Sequence, residues 1–281
     1  MAKLSVNLLA AAVLTALAAP AAFAADYSDG NIHKNDYKWV QFNLMHTIDQ
    51  RPFVKTNGSG DYNDTYAEME FGGRSGLFNL YGYVDVFDIF QNRHDDKNAG
   101  DNLYMKFAPR LSLDALTGKD LSFGPVKELY VANLNSIGGP DGLFESMIGL
   151  GADVDVPFLG TVGANLYARH VNEGGNGTGN TQGWNGYQFS TNWFKPFYTF
   201  ANGSFMAYQG YLDYLFGAKD TSSFGLATFH GIYWHSDRYA VGYGLKYFDN
   251  VYGIQNNLPL GGNSKLNSTG FGHYVAITYK F

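Results

Sequence analysis

Gly270-Phe271-Gly272-His273-Tyr274-Val275-Ala276-Ile277-Thr278-Tyr279-Lys280-Phe281 ends the chain. Counting back from Phe281, the residues Tyr279, Ile277, Val275, His273 and Phe271 fall on one row. Lys280, Thr278, Ala276, Tyr274 and Gly272 fall on the other. A period of two marks a β-strand with one apolar face. A last strand that closes on an aromatic residue, with an apolar row behind it, is how an outer-membrane barrel ends. In a bilayer the apolar row faces lipid and the other row faces a lumen, the reverse of a soluble sandwich.

The other end of the chain argues for export. Lys3 supplies a positive charge, Leu8 to Ala19 is an Ala/Leu-rich run, and Pro20 follows it. That run is too short to cross a membrane as a helix. Ala22-Phe23-Ala24 fits the small-x-small cleavage rule, so residues 1–24 read as a signal peptide and 25–281 as the barrel. No later segment is a continuous apolar run of membrane-helix length. Composition then separates a barrel from a periplasmic or secreted protein. The 281 residues include 21 Tyr and 22 Phe, 35 Gly against 8 Pro, and only 16% charged residues. Aromatic girdles and a tightly curved sheet need that mixture. The mean hydropathy of −0.21 is no objection, because lipid-facing and lumen-facing residues alternate. The absence of cysteine excludes disulfides and thiolate metal sites. A net charge of −6 offers no footprint for a nucleic-acid polymer.

Read for period two, the mature chain predicts an all-β, antiparallel up-and-down transmembrane barrel of about twelve strands. Tyr37 to Ile48 turns Val40, Phe42 and Leu44 out, and Gln41 and Asn43 in. Tyr66 to Arg74 turns Tyr66, Glu68, Glu70 and Arg74 in. After a tight turn at Ser75-Gly76, Phe78 to Phe90 turns Tyr81, Tyr83, Asp85 and Phe87 in. Leu103 to Asp114 turns Tyr104, Lys106, Arg110, Ser112 and Asp114 in. Ser122 to Asn133 carries Glu128 and Tyr130 inward, with a bulge near Pro125. Met147 to Val156 contributes Asp153 and Asp155, and Val162 to Val171 contributes Asn165, Tyr167 and Arg169. Trp184 to Phe194 turns Gln188, Ser190 and Asn192 in, and Phe205 to Phe216 turns Gln209, Tyr211 and Asp213 in. Phe224 to His235 is a strand whose pattern leaves its facing open. Arg238 to Phe248, with Lys246 inward, precedes the closing strand. Long polar connections alternate with shorter ones, as expected for outer loops and periplasmic turns, and place both termini in the periplasm. The Gly/Asn/Thr-rich loop Asn172 to Gly183 is expected to be mobile.

Five separated motifs carry a family resemblance: Tyr81-Gly82-Tyr83-Val84-Asp85, Phe107-Ala108-Pro109-Arg110-Leu111-Ser112-Leu113-Asp114, Leu121-Ser122-Phe123-Gly124-Pro125-Val126-Lys127-Glu128, Trp184-Asn185-Gly186-Tyr187 and Ser268-Thr269-Gly270-Phe271-Gly272. In this order, across the mature chain, they resemble the nucleoside-specific channel-forming family of outer-membrane proteins typified by Tsx, nearest its Vibrio branch. The resemblance implies a monomeric twelve-stranded barrel in the outer membrane; the terminal aromatic Phe281 is expected to be read by the barrel-insertion machinery. It also implies a narrow lumen that passes nucleosides and outer loops that serve as phage receptors. Tyr37-Lys38-Trp39 departs from the aromatic context of the Tsx N-terminus.

The candidate solute path is the inner row of Tyr66, Glu68, Tyr81, Tyr83, Asp85, Lys106, Arg110, Glu128, Tyr130, Tyr167 and Arg169. A nucleobase stacked on an aromatic ring gains about 1–3 kcal/mol without its identity being read. Carboxylates can accept hydrogen bonds from ribose hydroxyls, and Lys or Arg can donate to base carbonyls. Passage calls for weak binding at several sites, since one tight site would plug the pore. Acids and bases inside a small barrel can equally pair with one another and fill it. A surface-display barrel without substrate-specific transport is therefore the alternative, and a general porin a third. The chain does not read as an enzyme. His235-Ser236-Asp237 has triad residue types, but neighbours at a strand end point apart. The seven His show no metal-ligand spacing. No metal or cofactor is expected. Asp95-Asp96 and Asp141 read as solvated loop charge.

Overall fold

The computed structural model describes residues 27–90, 102–139, 143–174 and 180–281. The signal-peptide boundary at residue 24, Asp95-Asp96, Asp141 and the middle of the loop between Asn172 and Gly183 lie outside the described residues.

The strands are β1 (Tyr37–Ile48), β2 (Phe53–Thr56), β3 (Asp64–Ser75), β4 (Phe78–Val86), β5 (Leu103–Ser112), β6 (Val126–Ile137), β7 (Phe144–Val156) and β8 (Gly160–Glu173). Then come β9 (Gly183–Thr199), β10 (Phe205–Phe216), β11 (Phe224–His235), β12 (Tyr239–Asp249), β13 (Leu258–Gly261), β14 (Ser264–Asn267) and β15 (Gly270–Lys280). Twelve of them close an antiparallel barrel in the order β1-β15-β12-β11-β10-β9-β8-β7-β6-β5-β4-β3. The remaining three make a small sheet, β13-β14-β2, within the long connections at one end. Closure removes every free edge, which a spanning sheet in hydrocarbon requires.

The seam joins the two ends of the chain. β1 and β15 pair from Gln41↔Lys280 to Ile48↔His273. Thr278 Oγ1 donates to Asn43 Oδ1 at 2.6 Å across that seam, on the lumen side. The period-two reading of the closing strand holds over its length. Phe271, Val275, Ile277 and Tyr279 are exposed on the outer face, whereas Tyr274, Ala276, Thr278 and Lys280 are buried on the inner one. β1 obeys the same rule, with Val40, Phe42, Leu44 and Ile48 exposed.

Several boundaries differ from the sequence expectation, among them the strand expected over Phe78 to Phe90, which ends at Val86, and three differences have a clear local cause. The strand expected from Ser122 begins at Val126, because Phe123 and Val126 exchange backbone hydrogen bonds at 3.1 and 2.9 Å in a turn around Pro125, which has no N–H to give a ladder. The bulge lies just beyond, as a register shift between Val126 and Glu128. The strand expected to stop at Phe194 runs to Thr199; a register shift opposite Met206 and Ala207 accommodates Pro196. The connection after β5 holds a short helix, α1 (Leu113–Thr117). Ser112 caps its N-terminus, accepting from Ala115 N–H at 3.0 Å, and left-handed Gly118 at φ +64° closes its C-terminus. The buried Asp114 carboxylate accepts from the N–H groups of Leu121 and Leu129, which fixes the rest of the turn.

β11, left open by its pattern, turns Phe229, Tyr233 and His235 inward and His230, Ile232 and Trp234 outward. Its partner β12 explains the choice. A Cβ on Gly242 would lie 2.2 Å from the Tyr233 ring, and one on Gly244 would lie 2.1 Å from Phe229. These inward glycines let both rings lie flat on the wall.

Candidate solute path through the lumen

Every residue of the predicted inner row lies on the lumen side of its strand, but the barrel sorts them into groups with different partners. At the end that holds the short turns, Arg74 makes a two-pronged pair with Glu128, at 2.8 and 2.6 Å. Both side chains are buried. Ser112 also donates to Glu128, and the Tyr27 ring lies 5.3 Å from the Arg74 guanidinium. Beside them, Arg110 pairs with Asp153 at 2.8 Å and lies 4.0 Å from the Tyr130 ring, whose hydroxyl donates to Asp153 at 2.9 Å. Arg110, Glu128 and Tyr130 are thus tied into one network and partly fill this end.

Tyr167 joins Ala132, Leu134 and Met147 in an apolar cluster inside the lumen. Sequence reading missed the inward Leu134 and Met147, because apolar residues on this side run against the apolar-out rule. At the loop end, Arg169 is enclosed by Glu145 at 2.5 Å and Asp220 at 2.7 Å. Asp220 is a loop residue, out of reach of strand alternation.

The other groups lie between these ends, and of the first wall Tyr83 and Tyr104 border a cavity. Trp39, Tyr81, Tyr83 and Tyr104 form a continuous ladder, with ring centroids 6.3, 6.2 and 6.0 Å apart in turn. Trp39 was missed; its signal was Gly72 opposite, where a Cβ would lie 2.7 Å from the indole. Alongside runs an acidic strip. Glu68 accepts from Asn43 at 2.5 Å, and Glu70 accepts from Gln41 at 2.5 Å and from the Tyr81 hydroxyl at 2.8 Å. Asp85 lies on the same wall, opposite Glu68 in the β3–β4 register. Tyr66 packs on Phe87 at 5.0 Å above them. Amides and a phenol, rather than cations, hold Glu68 and Glu70.

On the facing wall, Tyr211 stacks with Phe229 at 6.1 Å, and Tyr274 meets Phe229 edge-on at 5.7 Å. Lys246 stands among Tyr211, Phe248 and Tyr274, at 5.4, 4.9 and 5.6 Å from their centroids. Between the walls, Lys106 and Asp213 pair at 3.0 Å. A cavity of about 60 Å³ surrounds that pair, lined among others by Tyr83, Tyr104, Tyr211, Lys246 and Tyr252. Tyr252 comes from the loop after β12 and reaches the cavity in a left-handed conformation, φ +61°. Among the described residues no group of three or more His, Asp or Glu side chains is placed to hold a metal ion.

A closed antiparallel barrel with an apolar belt outside and a polar, aromatic lumen inside is an outer-membrane channel. The particular family follows from comparison. A model described as "Nucleoside-specific channel-forming protein, Tsx" matches residues 34–281. The outer membrane protein OmpK of Vibrio parahaemolyticus is 57% identical over 278 residues, covering 98% of this chain and 99% of that one. The nucleoside-specific channel-forming protein Tsx of Salmonella typhimurium is 30% identical over 288 residues, covering 96% and 98%. The chain belongs to the Tsx family of outer-membrane channels. Among solved structures, the KdgM porin in complex with disordered oligogalacturonate superposes with a TM-score of 0.44 at 11% identity, covering 86% of this chain and 99% of that chain.

Proposed function

We propose that the channel passes nucleosides by weak stacking along the Trp39–Tyr81–Tyr83–Tyr104 ladder, while the acidic strip beside it accepts hydrogen bonds from the sugar. The observation that carries this is the ladder itself: four rings about 6 Å apart on one wall, with carboxylates beside them. A flat base can pass from ring to ring without any one site holding it tightly. The name of the Salmonella relative supports the same solute class. In this reading the long loops face the cell exterior and act as a phage receptor, with the β13-β14-β2 sheet as their ordered part. The chain inserts as a monomer, guided by its terminal aromatic.

The surface-display reading has its own support. Arg74–Glu128, Arg110–Asp153 and Lys106–Asp213 pair within the lumen, and the cavity of about 60 Å³ has room for about five waters. Single-channel recording in planar bilayers separates the two. Nucleosides at millimolar concentration should block the ion current. The double change Tyr81→Ala with Tyr83→Ala should weaken that block by about 2–4 kcal/mol. Wild-type pores that nucleosides do not block would leave the display reading in place.

A further inference from the structure

The Lys106–Asp213 pair differs from the other ion pairs of the lumen. β5 and β10 stand five places apart in the ring of twelve, so this contact crosses the pore. Arg169–Glu145 joins adjacent strands, Arg110–Asp153 strands two apart, and Arg74–Glu128 strands three apart. Those three pairs span fewer strands of the ring. The crossing pair sits in the cavity and keeps about a fifth of each side chain exposed. It stands within the cavity, in the way of anything that moves through that part of the lumen.

A second lysine flanks the same aspartate. Lys106 lies 6.0 Å and Lys246 5.4 Å from the centroid of the Tyr211 ring, two residues from Asp213 on β10. Lys246 lines the same cavity, where the charges of Lys106, Asp213, Asp85 and Glu68 all act on its ammonium. Among the described residues Lys246 has no carboxylate within ion-pair distance, and aromatic faces hold its ammonium instead. An aspartate left bare in a low-dielectric lumen is costly, whereas one handed from one lysine to another stays paired.

We propose that the Lys106–Asp213 pair is a bar across the pore, and that it opens by exchange of Asp213 from Lys106 to Lys246. The exchange moves a β10 side chain along its own wall and frees the middle of the lumen beside the Tyr83–Tyr104 ladder. It rests on the channel and not on the identity of the solute.

Single-channel recording in KCl, with no nucleoside present, tests it pore by pore, independently of how much protein folds. Lys106→Met and Asp213→Asn should each raise the conductance. They should shift the reversal potential in opposite directions, toward cations in the first and toward anions in the second. The double variant should keep the raised conductance with wild-type selectivity. Lys246→Met should lengthen closed times, because Asp213 has lost its second partner. Wild-type conductance in both single variants overturns the bar, and wild-type closed times in Lys246→Met overturn the exchange. Pores that nucleosides fail to block would sink the proposed solute and leave this result readable.

Discussion

Arg169 on β8 donates to Asp220 in the β10–β11 loop at 2.7 Å, with both side chains buried. Asp220 also accepts from Thr181 N–H at 2.7 Å and from Asn185 at 2.6 Å. Gly253, from the loop after β12, packs so close that a Cβ there would lie 2.6 Å from the Asp220 carboxylate. One carboxylate therefore gathers three loops at the mouth of the barrel. Asp220→Ala is expected to cost about 3 kcal/mol, near the low end for a broken buried pair, since Glu145 still faces Arg169. Denaturant unfolding of the refolded barrel gives the loss. Protease sensitivity of the loops should rise with it, and stability unchanged from wild type would refute the latch.

The flat rings on β11 depend on the bare backbone of β12. Gly244→Ala should push Phe229 off the wall and into the lumen, at a cost of about 1–3 kcal/mol from overpacking. Unfolding midpoint and conductance should both fall. Adding Phe229→Leu should restore part of each. A Gly244→Ala barrel with native stability would mean that the ring has room elsewhere.

The two ends of the barrel should label differently. Lys265 on β14 is exposed in the sheet at the loop end, and Lys119 is exposed in the turn after α1 at the other end. A cysteine at Lys265 should react with an impermeant maleimide on intact cells, and one at Lys119 should not. Reversed labelling would invert the proposed orientation.

Phe281 closes the outer apolar row. Its ring lies 5.4 Å from Phe42 and 5.0 Å from Tyr279, both edge-on, and its N–H donates to Val40 at 3.2 Å. Deleting it should lower the amount of barrel in the outer membrane, measured by fractionation, with a periplasmic pool degraded or accumulating. An unchanged level would show that assembly does not read this residue.

Much of the lumen lining was legible residue by residue. Tyr81, Tyr83 and Asp85 share a row because side chains on a strand alternate, and their strand carries apolar Val84 and Val86 on the other face. Steps of about 7 Å along such a row follow from strand rise, and the rings of Tyr81 and Tyr83 stand 6.2 Å apart. Leu134 and Met147 were hidden for the same reason in reverse, since an apolar residue on the polar row carries no sign of its facing. β11 was ambiguous because both of its rows hold aromatic residues, and only the glycines across the β11–β12 register break the tie.

What the sequence by itself determined is local: strand positions, their facing where one row is apolar, the even count, and the aromatic closure at Phe281. These follow from alternation and from the demand that every backbone group in lipid be paired. The tertiary structure alone decided which charges meet. Lys106 finds Asp213 across the pore and Arg169 finds Asp220 in a loop because closure and stagger bring distant strands and loops to one height. Alternation has a reach of one strand, whereas pairing inside a closed barrel is set by the whole ring.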